Sequence, residues 1–106
     1  MRNKPVISED QRLRLETLYK LNGFSLKPGG YPVNGSADEE YTAGMVRGEY
    51  RAYCNALFLG KLFAPEWPES NVASRAGEQR GYDGAARAIA DSGIVPMVKD
   101  EVMDAT

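Results

Sequence analysis

Two stretches, Ala43-Gly44-Met45-Val46-Arg47-Gly48 and, 33 residues later, Ala76-Gly77-Glu78-Gln79-Arg80-Gly81, decide the fold. At the same offset Ala52 falls on Ala85 and Gly60 on Gly93. Read as helices, both stretches belong to ladders of small residues at i+4. The first ladder is Gly44, Gly48, Ala52, Ala56 and Gly60; the second is Ala73, Gly77, Gly81 and Ala85, with Gly84 and Ala88 beside it. Each glycine inside a helix costs about 1 kcal/mol relative to alanine, so something must offset Gly77, Gly81 and Gly84. Close approach of two helix backbones along their i±4 rows can do so. The spacing therefore predicts a tightly packed helix pair, expected to be antiparallel, with Gly44, Gly48, Ala52, Ala56, Gly77, Gly81 and Ala85 at the contact. The 33-residue match reads as two helices meeting one packing constraint. A repeat protein would show three or more units.

The rest of the chain fits around that pair. Ser8-Glu9-Asp10-Gln11 has the form of a capping box, and Leu15, Leu18 and Tyr19 follow at helical spacing, with Leu21 on the Leu18 side. Asn22-Gly23 supplies a left-handed stop, so a first helix is expected over about 9–21. Residues 24–35 carry Pro28-Gly29-Gly30, a type II turn pattern, and read as a loop. Ser36-Ala37-Asp38-Glu39 is a second capping box, opening a helix expected to reach Phe63, where Ala64-Pro65 ends it. Ser70 is expected to cap the third helix, over about 70–91, before Ser92-Gly93. The apolar run Ile94-Val95-Pro96-Met97-Val98 should dock on the bundle, and the acidic tail should fray. The expected architecture is all-α, one domain over 1–106: a small three-helix bundle with long Pro/Gly loops and a short docked C-terminal segment.

Composition removes several functions. The chain has 106 residues, 42% hydrophobic and 26% charged, with a formal net charge of −2. With no histidine, it cannot build a Ser-His-Asp or Cys-His pair or a His-ligated zinc. Its single cysteine, Cys54, allows no internal disulfide and no thiolate cluster. The polar start and the absence of a long apolar run lead to the expectation of a cytoplasmic protein without a membrane span. Asp38, Glu39 and Glu40 sit where a first-turn macrodipole favours carboxylates, which accounts for them without a metal. The Gly-rich loop has no preceding strand and no G-K-[ST], so it reads as a connector rather than a phosphate cradle. No cofactor is implied.

Direct nucleic-acid binding is not expected, because the arginines lie among acidic residues at helical spacing and phosphate affinity scales with uncompensated cations. The carboxylates Glu40 and Glu49 and the tyrosines show no spacing that specifies a reaction, so the chain is expected not to be an enzyme. The second helix is apolar around much of its circumference, more than two neighbours in a bundle can cover. Arg47, Tyr50, Arg51, Tyr53, Leu57 and Trp67, with Arg80 and Arg87, have the aromatic-plus-arginine composition of binding hot spots. A protein partner is the expectation, and a homodimer on the same surface is compatible with it. In general style, a compact helical domain with an A-G-x-x-x-G-[EY] helix resembles accessory proteins of bacteriophages and mobile elements. That resemblance implies an inhibitor or adaptor acting on a larger host protein, such as a defence complex or a nucleic-acid enzyme. A small DNA-contacting regulator and a histidine-independent enzyme using carboxylates are the alternatives.

Overall fold

The computed structural model describes residues 4–24 and 36–99. The turn at Pro28-Gly29-Gly30, the loop around it and nearly all of the acidic tail lie outside the described residues. The fold is a small three-helix bundle with a closely packed pair at its centre. Helix α1 is Glu9–Asn22, α2 is Ala37–Cys54 and α3 is Ala73–Asp91. Two-residue strands β1, Leu62–Phe63, and β2, Met97–Val98, complete it.

Both capping boxes form. The Ser8 hydroxyl accepts from the Gln11 amide at 3.2 Å while Gln11 Oε1 accepts from the Ser8 amide at 2.9 Å. Ser36 and Glu39 repeat the arrangement at 3.2 and 3.0 Å. Helix α1 ends in a Schellman motif: Gly23, at φ 70°, donates to the Lys20 carbonyl, and the Phe24 amide donates to that of Tyr19. The accompanying apolar contact is aromatic, Phe24 against Tyr19 at 5.2 Å between ring centres. Leu15 and Tyr19 are buried and Leu18 half-buried, whereas Leu21 is 81% exposed and contributes nothing to the core.

The second helix stops short of Phe63. Its last turn widens into a π-helical turn over Asn55–Leu59, and Gly60, at φ 69°, ends it. Gly60 is thus a left-handed stop rather than the last rung of the ladder, as Gly93 is after α3 at φ 73°. Helix α3 begins at Ala73, with Val72 at the cap position and no side-chain cap. The Ser70 hydroxyl instead accepts from the Val72 amide at 3.1 Å, forming a local turn ahead of the helix.

The pair packs backbone to backbone. A Cβ placed on Gly44 or Gly48 would strike the carbonyl oxygen of Ser74 or Glu78, well inside the 3.0 Å that real Cβ atoms respect. One on Gly77 or Gly81 would strike that of Tyr41 or Met45. In each case the glycine hydrogen standing in place of the Cβ is aimed at a carbonyl, the geometry of a Cα–H···O contact. These contacts fix direction. Moving from Gly44 to Gly48 moves the partner from Ser74 to Glu78, and moving from Tyr41 to Met45 moves it from Gly77 to Gly81. Helices α2 and α3 therefore run parallel, which corrects the antiparallel expectation. A parallel pair requires the chain to return the length of a helix between its members. Residues 60–72 can span about 40 Å when extended, more than the ~28 Å rise of the 19-residue α3.

Parallel direction carries through to the strands. β1 pairs with β2 in parallel, Leu62 opposite Met97 and Phe63 opposite Val98, with the Leu62 amide donating to the Pro96 carbonyl and the Ala64 amide to that of Val98, both at 3.0 Å. Helix α1 lies antiparallel to the pair: the Val6 amide reaches the Leu57 carbonyl near one end, and Tyr19 Oη donates to the Glu49 carbonyl near the other. The core sits beyond the glycine crossing. It gathers Leu15, Tyr19, Ala52, Ala56, Leu57, Leu62, Tyr82, Ala85, Ala86, Ile89, Ile94 and Val95. Tyr82, fully buried, accepts from Asn55 Nδ2 at 3.2 Å and from the Phe63 amide at 3.0 Å, tying the π-helical turn and β1 to α3.

Candidate functional site

The four glycine contacts are reciprocal at the offset read from sequence. Adding 33 turns Gly44 against Ser74 into Gly77 and Tyr41, and Gly48 against Glu78 into Gly81 and Met45. The helix pair therefore has a local pseudo-two-fold axis, and a groove flanks the pair on each side of it. Arg47 and Arg51 of α2 border one groove; Arg80, Gly84 and Arg87 of α3 border the other, in equivalent or adjacent positions.

The first groove is filled. Arg47 and Arg51 reach across the pair to opposite oxygens of Glu78, at 3.7 and 3.2 Å. The Glu78 side chain is only 12% exposed, so the two guanidinium groups are held over a partly desolvated carboxylate. Tyr50, next to Arg51 in the chain, is half-buried, its ring 6.3 Å from that of Tyr53. One turn on, burial pushes the Cys54 thiol up, partly offset by a hydrogen bond with Tyr50. Cys54 is accordingly a packed thiol without the electropositive setting of a nucleophile.

The second groove is open. It is a shallow depression of about 530 Å³ between Tyr41, Met45 and Glu49 of α2 and Ala76, Gln79, Arg80, Asp83, Gly84 and Arg87 of α3, with Phe24 also in its lining. Gly81 lies at its floor, and a Cβ on Gly84 would meet nothing within 4 Å. Arg80 and Arg87 are exposed, and among the described residues neither has an ion pair.

The other residues chosen from sequence are dispersed. Tyr53 packs toward α1, 5.1 Å from the ring of Tyr19, and burial pushes its hydroxyl pKa up. Leu57 is 6% exposed within the core; as a member of the core it offers no surface to a partner, which corrects its expected role. Trp67 is half-buried, its ring edge-on to Tyr82 at 6.0 Å and its Nε1 donating to Asp83 at 3.2 Å, so it fastens the returning connector to α3. Sequence reasoning missed Glu78, the acid that organises the first groove. Its position one residue after Gly77 was the available signal, because a residue next to a contact glycine must flank the partner helix.

Among the described residues no group of three or more Cys, Asp or Glu side chains is placed to hold a metal ion. Nor is any helix among them long and apolar enough to cross a membrane. No family model, no curated protein and no solved structure matches this chain.

Proposed function

We propose that this chain is a small cytosolic protein-binding module, an inhibitor or adaptor that seats on a larger protein and performs no chemistry of its own. The observation that carries the reading is the hold of Glu78 on both Arg47 and Arg51, with the half-buried Tyr50 next to Arg51 in the chain. Arginine and tyrosine are the residues that concentrate binding energy at interfaces. Here the arginines are fixed by a carboxylate, on helices whose backbones touch, so little side-chain freedom remains to be lost on association. The same ion pairs argue against direct use of these arginines on phosphate, since Glu78 compensates them. The resemblance in style to bacteriophage accessory proteins favours a host defence complex or nucleic-acid enzyme as target.

The test is to purify the tagged protein from a bacterial lysate and reconstitute the complex from two pure components. Its footprint is then mapped by hydrogen exchange. The reading expects a stoichiometric complex whose footprint includes Arg47–Arg51, and roughly tenfold or greater weakening by Tyr50→Ala. A footprint that avoids both grooves, or no reconstituted complex, contradicts it.

A further inference from the structure

Helix α1 carries a second apolar face, turned away from the core. Leu13 is 49% exposed and Leu21 81%, and the exposed Thr17 lies four residues from each, so the three form one row along the outside of the helix. The Thr17 hydroxyl is turned back on the helix, donating to the Leu13 carbonyl at 2.9 Å. Its polar group is thereby satisfied within α1. Beside the row, Leu18 and Ile94 help to line a depression of about 330 Å³, and Arg14 is tied to the turn after α3 by donating to the Ser92 carbonyl at 2.9 Å. A lone exposed leucine needs no partner, but an aligned row of them beside a depression marks a contact face. We infer that this face docks against the same face of a second copy of the chain, with the two α1 helices antiparallel about a two-fold axis at Thr17.

The row reads the same in both directions, as an isologous antiparallel contact requires. Leu13 comes level with the partner's Leu21, and Thr17, the smallest residue of the row, meets its own copy. Charge fits the same arrangement. At helical spacing Glu16 and Lys20 share one edge of the row, and Arg14 and Leu18 the other. The two-fold axis sets each edge against its own counterpart run backwards. Lys20 then stands about 3 Å along the helix axis from the partner's Glu16, twice by symmetry, and Leu18 stands equally near the partner's Leu18, while like cations remain about 9 Å apart. Lys20 is exposed and has no ion pair among the described residues. The two Glu16 carboxylates also approach each other, but each is held by its own Arg12 at 2.6 Å, so two acids lie among four cations. Opposed macrodipoles favour the same direction. One helix face makes a small contact, so the association is weak, on the order of 0.1 mM.

The test is a dilution series of the ¹⁵N-labelled full chain from about 1 mM to about 20 µM, followed by sedimentation and by amide shifts. The expected result is a dimer that grows with concentration, with the concentration-dependent shifts gathered at Leu13, Thr17 and Leu21. Leu21→Glu should abolish it; that side chain is 81% exposed, so the fold is retained. Lys20→Glu should weaken the dimer at least about threefold, and adding Glu16→Lys, which rebuilds the pair across the axis with its signs exchanged, should recover most of the loss. A chain that stays monomeric at 1 mM, association that survives Leu21→Glu, or a double variant no better than Lys20→Glu overturns the inference. So does a reconstituted complex in which a different protein covers Leu13 and Leu21. The face uses none of the residues at Arg47–Arg51, so its failure and that of the protein-binding reading are separate results.

Discussion

Gly77 lies against the carbonyl oxygen of Tyr41, closer than any residue with a side chain could come. Gly44, Gly48 and Gly81 stand in the same relation to Ser74, Glu78 and Met45. The helix pair is therefore built by absence of side chains at four positions, and that dependence is directly testable.

Gly77→Ala should push the helices apart and cost about 3 kcal/mol, a large share of the roughly 5–15 kcal/mol that holds such a domain together. Gly84→Ala, in the same helix but facing open space, should instead stabilise by up to about 1 kcal/mol through helix propensity alone. Urea unfolding followed by circular dichroism checks both, and opposite signs are the expected outcome.

Tyr82→Phe keeps the ring against Trp67 but leaves Asn55 Nδ2 and the Phe63 amide without their acceptor. The expected cost is about 1–3 kcal/mol. Hydrogen exchange at Phe63 should accelerate more than at Leu15, because the lost acceptor is local.

Tyr19 gives the protein an alkaline limit. Burial first, then the charge of Glu49, pushes its hydroxyl pKa far above the usual value. In the unfolded chain the group ionises near pH 10, so above that pH the unfolded state sheds a proton the folded state keeps, and stability falls as pH rises. The slope is up to about 1.4 kcal/mol per pH unit for this group. Denaturation midpoints between pH 8 and 11 should fall above pH 10. Tyr19→Phe, though less stable at pH 8 for loss of the bond to the Glu49 carbonyl, should fall less steeply.

The Arg51–Glu78 pair is partly exposed on the arginine side and nearly closed on the acid side. A double-mutant cycle with Arg51→Gln and Glu78→Gln should return a coupling near the upper end of the surface range, about 1 kcal/mol, and it should shrink as salt is raised.

The glycine ladders, both capping boxes and the stop at Gly23 were legible in the sequence because each rests on local chemistry. Direction was not legible: an i+4 row of small residues presents the same groove to a parallel as to an antiparallel neighbour, and only the reach of residues 60–72 separates the two. Gly60 misled for a related reason, since a glycine four residues after Ala56 extends a ladder and ends a helix equally well. The arginines were recognised as distinctive, but Glu78 was not. Its role comes from the helix crossing, which brings an acid of α3 between two arginines of α2 that no sequence spacing connects.

The parallel pairing underlies both grooves, and one distance tests it. Thr42 and Arg75 are exposed and sit at equivalent places near the starts of α2 and α3. Spin labels at these positions in a Cys54→Ala background, measured by double electron–electron resonance, should give a distribution centred near 20 Å. With helix axes as close as glycine contacts permit, roughly 8 Å or less, the remainder is the reach of the labels. An antiparallel pair would add most of the ~27 Å length of the 18-residue α2, and a distribution centred beyond about 30 Å would contradict the account.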